Sequence, residues 1–201
     1  MYILYSIPGS CSTAIAVLLE KLKVDYKIIH RKDVPNYSKI VPTNQVPALD
    51  TGKRVISEGA AITLYLLDKH CDSLKKISIE DKGEFYQKLM FNYATLHPSY
   101  TRATGTANAM GENKNIEVLQ KLADKISELW VIVDNHLSEN EFMFGNEATI
   151  VDYLITIYTK WAAKFFPYLT VTTGENVKRL AKQISQRPEF LDACKKDGFN
   201  F

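Results

Sequence analysis

Of the three cysteines in this 201-residue sequence, Cys11 alone has the surroundings of a reactive thiol. It follows a short apolar run and a Pro8-Gly9 turn and sits where a helix begins. Unpaired backbone N–H groups and the positive end of the helix dipole favour a thiolate there, or the thiolate or carboxylate of another molecule. Ser10, Ser12 and Thr13 add hydroxyl donors to the same spot. The local pattern supports equally a small buried thiol that only fills space. Cys71 and Cys194 lack such a setting. An odd number of cysteines at wide, irregular spacing argues against a disulfide framework and against a zinc site, so no metal is expected.

Two further segments invite a ligand. Val46-Pro47 enters a strand, where proline belongs at an edge or carries a cis bond. A cis bond would turn the Val46 N–H and C=O outward to pair with an extended peptide, although only about one X-Pro bond in twenty is cis. Ser57-Glu58-Gly59 lies between a strand and a helix start. Glu58 there can meet a ligand ammonium, and Gly59 lets the backbone approach a carboxylate. The plainer reading has Ser57 capping the helix and Glu58 favouring its dipole. His97, near the end of a helix of mixed polarity, is a possible donor but by itself reads as structural.

The elements that must position these residues follow from periodicity. Tyr2–Tyr5 reads as a buried strand, a helix from Ser10 or Ser12 runs to about Lys23, and Tyr26–His30 reads as a second strand, giving a right-handed βαβ unit. Residues 31–44 form a loop with room for one helical turn. Val46–Leu49 and Arg54–Ile56 make a hairpin about Thr51-Gly52, and a helix resumes from Glu58-Gly59 to about His70. Cys71–Ile77, with Asp72, Ser73 and Lys75-Lys76, is the expected linker. Beyond it only helical patterns occur: the stripe Ile116, Leu119, Leu122, Ala123, Ile126, Leu129, Trp130, Val133 and Leu137; a buried helix over Ile150–Phe166 whose Thr149 and Asp152 form a capping pair; and a helix through Val177, Leu180, Ala181 and Ile184, stopped at Arg187-Pro188. The expected domains are 1–71, α/β, and 78–201, all helical.

Hydrophobic residues at 46% and charged residues at 24% are ordinary for a packed globular chain. Residues 1–77 carry 11 Lys+Arg against 7 Asp+Glu, leaving 14 against 16 beyond them. That asymmetry is too mild for nucleic acid or an anionic membrane and leaves room for a small anion. Nothing resembles a signal peptide or a membrane span, so the cytoplasm is the expected location.

Together these segments resemble the beta-class bacterial glutathione S-transferases. The resemblance rests on Tyr5-Ser6-Ile7-Pro8-Gly9-Ser10-Cys11-Ser12, Asn44-Gln45-Val46-Pro47-Ala48-Leu49, Ser57-Glu58-Gly59 with Ala61-Ile62 and Tyr65-Leu66, and Phe144-Gly145 followed by Thr149-Ile150-Val151-Asp152. It implies a thioredoxin-like N-terminal domain, an all-helical C-terminal domain and a homodimer. It also implies glutathione as cosubstrate and a hydrophobic electrophile as its partner, seated between the domains. Cys11, Ser12 and Tyr5 would be the catalytic group, with Val46, Pro47, Glu58, Gly59 and His97 holding glutathione. Conjugation would stand beside thiol–disulfide exchange and peroxide reduction. Lys32 is a stand-in for the lysine that the class uses in the 31–44 loop. The class also carries an asparagine one or two turns before the histidine, and Asn92, five residues from His97, is off that face at the α-helical period. The competing reading is a noncatalytic regulator of the same fold, resembling the stringent starvation proteins, against which Cys11 and Ser12 speak. A plain disulfide reductase is weaker, because Cys11-Ser12-Thr13-Ala14 lacks a second cysteine.

Overall fold

The computed structural model describes residues 1–72 and 76–201. Ser73 and Lys75 of the expected linker lie outside the described residues. The chain gathers into two compact units, Met1–Tyr86 with Ser185–Phe201, and Gln87–Ile184.

In the first unit β1 (Tyr2–Ser6), α1 (Cys11–Lys21) and β2 (Tyr26–His30) form the expected βαβ arrangement, the strands parallel with Tyr2 opposite Tyr26 and Ser6 opposite His30. β3 (Ala48–Asp50) runs antiparallel to β1 and pairs with β4 (Val55–Ser57), giving the sheet order β2-β1-β3-β4. The hairpin closes as its residues require: Gly52 takes φ 78, and the Asp50 carboxylate accepts its N–H at 2.8 Å. β3 starts two residues later than expected, because Val46 and Pro47 precede the ladder. The 31–44 loop holds two short 3₁₀ turns, Arg31–Asp33 and Tyr37–Lys39, and α2 (Gly59–His70) follows β4. Leu4, Ile15, Leu19, Leu49, Ile62 and Leu66 are fully buried in this unit. A cluster of Tyr5, Tyr37, Val41 and Ala48 packs with Val46 and Val55.

α3 (Ile79–Met90) leads to a π-helical turn, Phe91–Leu96, and then to α4 (His97–Ala109). α5 (Ile116–Glu139) buries Leu119, Ala123, Ile126, Trp130, Val133 and Leu137, a stripe at the expected spacing; Ile116, its first residue, is exposed. The helix expected over Ile150–Phe166 is two helices, α6 (Ile150–Tyr158) and α7 (Trp161–Phe165). They part at the Thr159-Lys160 turn, where the Thr159 hydroxyl donates to the Thr156 carbonyl at 2.6 Å. α6 is buried along its whole length and opens with the expected box: the Thr149 hydroxyl accepts from Val151 N–H, and Asp152 accepts from the Thr149 N–H and, at 2.7 Å, from that of Met143. α8 (Glu175–Ser185) ends before Arg187-Pro188 as expected. Pro188 then starts one more helix, α9 (Pro188–Asp197), in which proline occupies a first-turn position where its missing N–H costs nothing. α9 packs against α1 in the first unit. No helix among the described residues is long and apolar enough to cross a membrane.

Candidate functional site

Cys11 is the first residue of α1, and Ser10 is its N-cap, the Ser10 hydroxyl oxygen accepting the Ser12 N–H at 3.2 Å. The turn that delivers it needs Gly9, which sits at φ 70 with the Phe199 ring against its open side. Cys11 Sγ lies 3.8 Å from the Val46 carbonyl oxygen, and the Val46-Pro47 bond is cis. Among the described residues the Val46 N–H has no protein partner.

The thiol is nearly sealed, at 4% exposure. Burial pushes its pKa up to about 12. The backbone N–H groups of Cys11 and Ser12 pull it down and the Glu58 carboxylate adds to the rise, so desolvation outweighs the helix terminus that the sequence pattern brings to mind. At neutral pH Cys11 is an S–H donor to Val46 and not a thiolate.

Glu58 is the N-cap of α2 and makes no side-chain capping bond. Ser57 belongs to β4 and does not cap, so the capping half of the plainer reading does not hold. Glu58 is exposed and its backbone sits at φ 69, a conformation that costs a side-chain-bearing residue about 1–3 kcal/mol and that collects at ligand sites. Gly59 is buried at the first position of α2. Its effect on the Cys11 thiol puts the Glu58 carboxylate in the same electrostatic neighbourhood as Cys11 and Val46.

Tyr5 stands opposite Ala48 in the sheet, and its ring meets that of Tyr37 edge-on at 5.4 Å. It is 7% exposed and burial raises the pKa of its hydroxyl, so its place is in the apolar cluster beside the site. Ser12 is fully buried, its hydroxyl 2.7 Å from that of Ser6 and 2.6 Å from that of Ser10. It is tied into the interior and reaches a ligand only through a neighbour.

His97 lies in the second unit, half-buried, its ring 5.0 Å from that of Trp161 and 5.9 Å from that of Tyr158. Burial lowers its pKa, so the imidazole is neutral at physiological pH. The expectation that Asn92 falls off its face assumed the α-helical period. The turn is π-helical, and the His97 N–H reaches back five residues to the Asn92 carbonyl. Asn92 is fully buried, its amide donating to the Lys88 carbonyl at 3.0 Å.

The structure adds residues that sequence reasoning missed. A cavity of about 540 Å³ opens at the C-terminal ends of β1 and β2, lined by Ser6, His30, Arg31, Lys32, Tyr37 and Asn44 among others. Its charged lining residues are basic, and Asn36 and Asn44 on its rim hold left-handed backbones, φ 54 and 56. Lys32 and Arg31 are both among its lining residues. Asp197, at the end of α9, is fully buried beneath the Cys11 turn, where Oδ1 accepts the Ser6 hydroxyl at 2.6 Å and Oδ2 accepts the Thr13 hydroxyl. The Gly198 that ends α9 was the local signal for this helix; nothing local announced where its Asp would go.

Residues 1–68 match the family of the glutathione S-transferase N-terminal domain. Over 220 aligned residues the chain is 28% identical to glutathione S-transferase 3 of Schizosaccharomyces pombe, covering 98% of this chain and 88% of that protein. A glutathione S-transferase from Xylella fastidiosa superposes with a TM-score of 0.85 at 20% identity, all of both chains being covered. The glutathione transferase URE2P5 from Phanerochaete chrysosporium, cocrystallised with 1-(S-glutathionyl)-2,4-dinitrobenzene, superposes at 0.81 with 20% identity, over 98% of this chain and 94% of that one. The first 68 residues thus match the glutathione S-transferase N-terminal domain, and the chain as a whole shares the fold of these solved structures.

Proposed function

We propose that the protein binds glutathione at the C-terminal ends of β1 and β2 and conjugates it to hydrophobic electrophiles. The observation that carries the reading is the Cys11 thiol set, at the N-terminus of α1, 3.8 Å from the carbonyl of Val46 beside the cis Val46-Pro47 bond. Glutathione lies extended, its cysteinyl N–H and C=O pairing with the Val46 backbone beside Pro47. The Glu58 carboxylate takes the ammonium of the γ-glutamyl end, and the first N–H groups of α2 at Gly59 take its carboxylate. The glycine carboxylate enters the basic cavity at Arg31 and Lys32, the counterpart of the class lysine.

The glutathione sulfur then rests at the start of α1. Because Cys11 stays protonated, its part is to turn its S–H from the Val46 carbonyl to the glutathione thiolate, which with the α1 N–H groups favours the ionised nucleophile. The thiolate attacks the electrophilic carbon, a C–S bond forms and the leaving group departs with its electron pair. The beta-class assignment is part of this proposal and rests on Cys11 and Ser12. The mixed-disulfide chemistry of that class is secondary here, since a thiol held near 12 is a poor attacking group.

A homodimer belongs to the same reading. Ile79, Tyr86 and Met90 on α3 are exposed at 73%, 38% and 38%, at spacings that put them on one stripe open to a second copy. A cytoplasmic setting would keep the three free cysteines reduced. Retention on immobilised glutathione, followed by conjugation of 1-chloro-2,4-dinitrobenzene, tests the function. Binding with turnover supports it; absence of binding by wild type and Cys11→Ala alike favours the noncatalytic regulator.

A further inference from the structure

The buried hydroxyls under the Cys11 turn have a direction that can be worked out from their contacts. Asp197 as a carboxylate only accepts, so Ser6 spends its one hydroxyl proton on Oδ1, at 2.6 Å. The 2.7 Å contact between Ser6 and Ser12 then holds a proton only if Ser12 donates. The weaker choice, Ser12 to the Ile7 carbonyl at 3.3 Å, would leave that short contact without a hydrogen. With the Ser12 proton committed, the 2.6 Å contact between Ser10 and Ser12 requires Ser10 to donate. Three hydroxyls therefore point one way, Ser10 to Ser12 to Ser6 to Asp197. Ser6, Ser12 and Asp197 are fully buried; Ser10, the N-cap next to Cys11, is half-buried and forms the outer end. With its own proton pointing inward, Ser10 meets the ligand side with an oxygen lone pair.

We infer that this chain is a proton relay: Asp197, acting through Ser6, Ser12 and Ser10, receives the proton of the thiol that binds at the start of α1. The inference rests on the glutathione reading above. The thiol S–H breaks as its proton joins Ser10; the former protons of Ser10, Ser12 and Ser6 each move one place inward, and the last closes the Asp197 carboxylic acid. A neutral thiol and a carboxylate become a thiolate and a neutral acid, with no other reactant. Afterwards every bond in the chain is reversed, and Ser10 donates to the new thiolate. Asp197 is thus a positioning residue that acts through three others, and Ser12 serves the reaction without touching sulfur.

The surroundings of Asp197 suit an acceptor. Burial raises its pKa, while the Ser6 and Thr13 hydroxyls, His30 and the Gly9 N–H oppose the rise. From β2, His30 Nε2 lies 3.7 Å from Oδ1 and 3.1 Å from the Asp197 carbonyl, and His30 also lies 3.9 Å from Asp33. Tyr26 on β2 and Cys194 on α9 face the same charge, and each has a pKa raised in part by it. His30 is half-buried on the wall of the basic cavity, between the carboxylate and solvent.

The test is the ultraviolet absorbance of bound glutathione thiolate across pH, with affinity measured in parallel by calorimetry. Asp197→Asn keeps the shape of the side chain but cannot take the proton; Ser6→Ala cuts the chain and leaves α9 alone, and carries the test if the first variant does not fold. Both are expected to bind glutathione within about threefold of wild type above the ionisation midpoint, and to raise that midpoint by about one pH unit or more, a tenfold loss of thiolate below it. A purely structural Asp197 would lower thermal stability and leave the midpoint in place. Retained binding with an unmoved midpoint in both variants overturns the relay alone. Wild-type protein that binds no glutathione overturns the relay and the proposed function together.

Discussion

Alkylation of Cys11 by iodoacetamide is expected to be slow, although the residue opens a helix. Only thiolate reacts, and with the thiol pushed up to about 12 its ionised fraction near pH 7.5 is about 3 in 100,000. An ordinary cysteine of pKa about 8.5 is about one-tenth ionised there, so ionisation alone slows Cys11 by about 3,000-fold. The 4% exposure can only slow it further. Cys71, which is partly exposed, provides the reference within the same molecule, and Cys194, also pushed to about 12, provides a second protected thiol. Peptide mass spectrometry after timed quenching is expected to find Cys71 modified first, with Cys11 and Cys194 intact until denaturant is added. Cys11 reacting as fast as Cys71 in the native protein would refute the reasoning: the helix terminus would then have overcome burial, and Cys11 would be a nucleophile in its own right.

Other outcomes follow from single contacts. Asp152→Ala removes the capping box of α6 and strands the N–H groups of Met143 and Thr149, a loss of roughly 3–6 kcal/mol out of the 5–15 typical of a domain, to be read by urea denaturation. Gly9→Ala forces a side chain into a left-handed backbone, about 1–2 kcal/mol, and sets its Cβ 2.6 Å from the Phe199 ring; adding Phe199→Ala is expected to recover the steric part and leave the backbone part. Burial depresses the pKa of His97, so its neutral form adds stability that is present above the unfolded value of 6.5 and lost as pH falls below it. His97→Gln is therefore expected to flatten the fall of melting temperature in acid, and an unchanged acid limb would count against the burial of that ring.

Much of the first unit was legible because its signals are local. The apolar run of β1, the Pro8-Gly9 turn, the Thr51-Gly52 hairpin and the proline at the entry of β3 each act within a few residues, and Cys11 and Glu58 fell at the helix starts where the pattern put them. Thr149 and Asp152 form a cap three residues apart and were equally readable. The hydroxyls of Ser6 and Thr13 instead find their acceptor in Asp197, 191 and 184 residues away, and no local preference specifies such a pair. The burial that keeps Cys11 protonated is likewise a property of packing, so a helix start predicted reactivity that desolvation cancels. The spacing of Asn92 and His97 was counted at the α-helical period, which does not hold in this segment. A π-helical turn changes the period by which faces are counted, and its insertion into an otherwise α-helical pattern leaves no mark in apolar spacing.

The central claim is that glutathione is held at the start of α1 by Val46, Glu58 and the basic cavity. Titration calorimetry of the reduced protein with millimolar glutathione tests it most directly, run beside Glu58→Ala. The account predicts saturable heat with one site per chain and at least about tenfold weaker binding by the variant, the loss of a charged hydrogen bond. No heat with the wild-type protein, or equal affinity in the two, would contradict it.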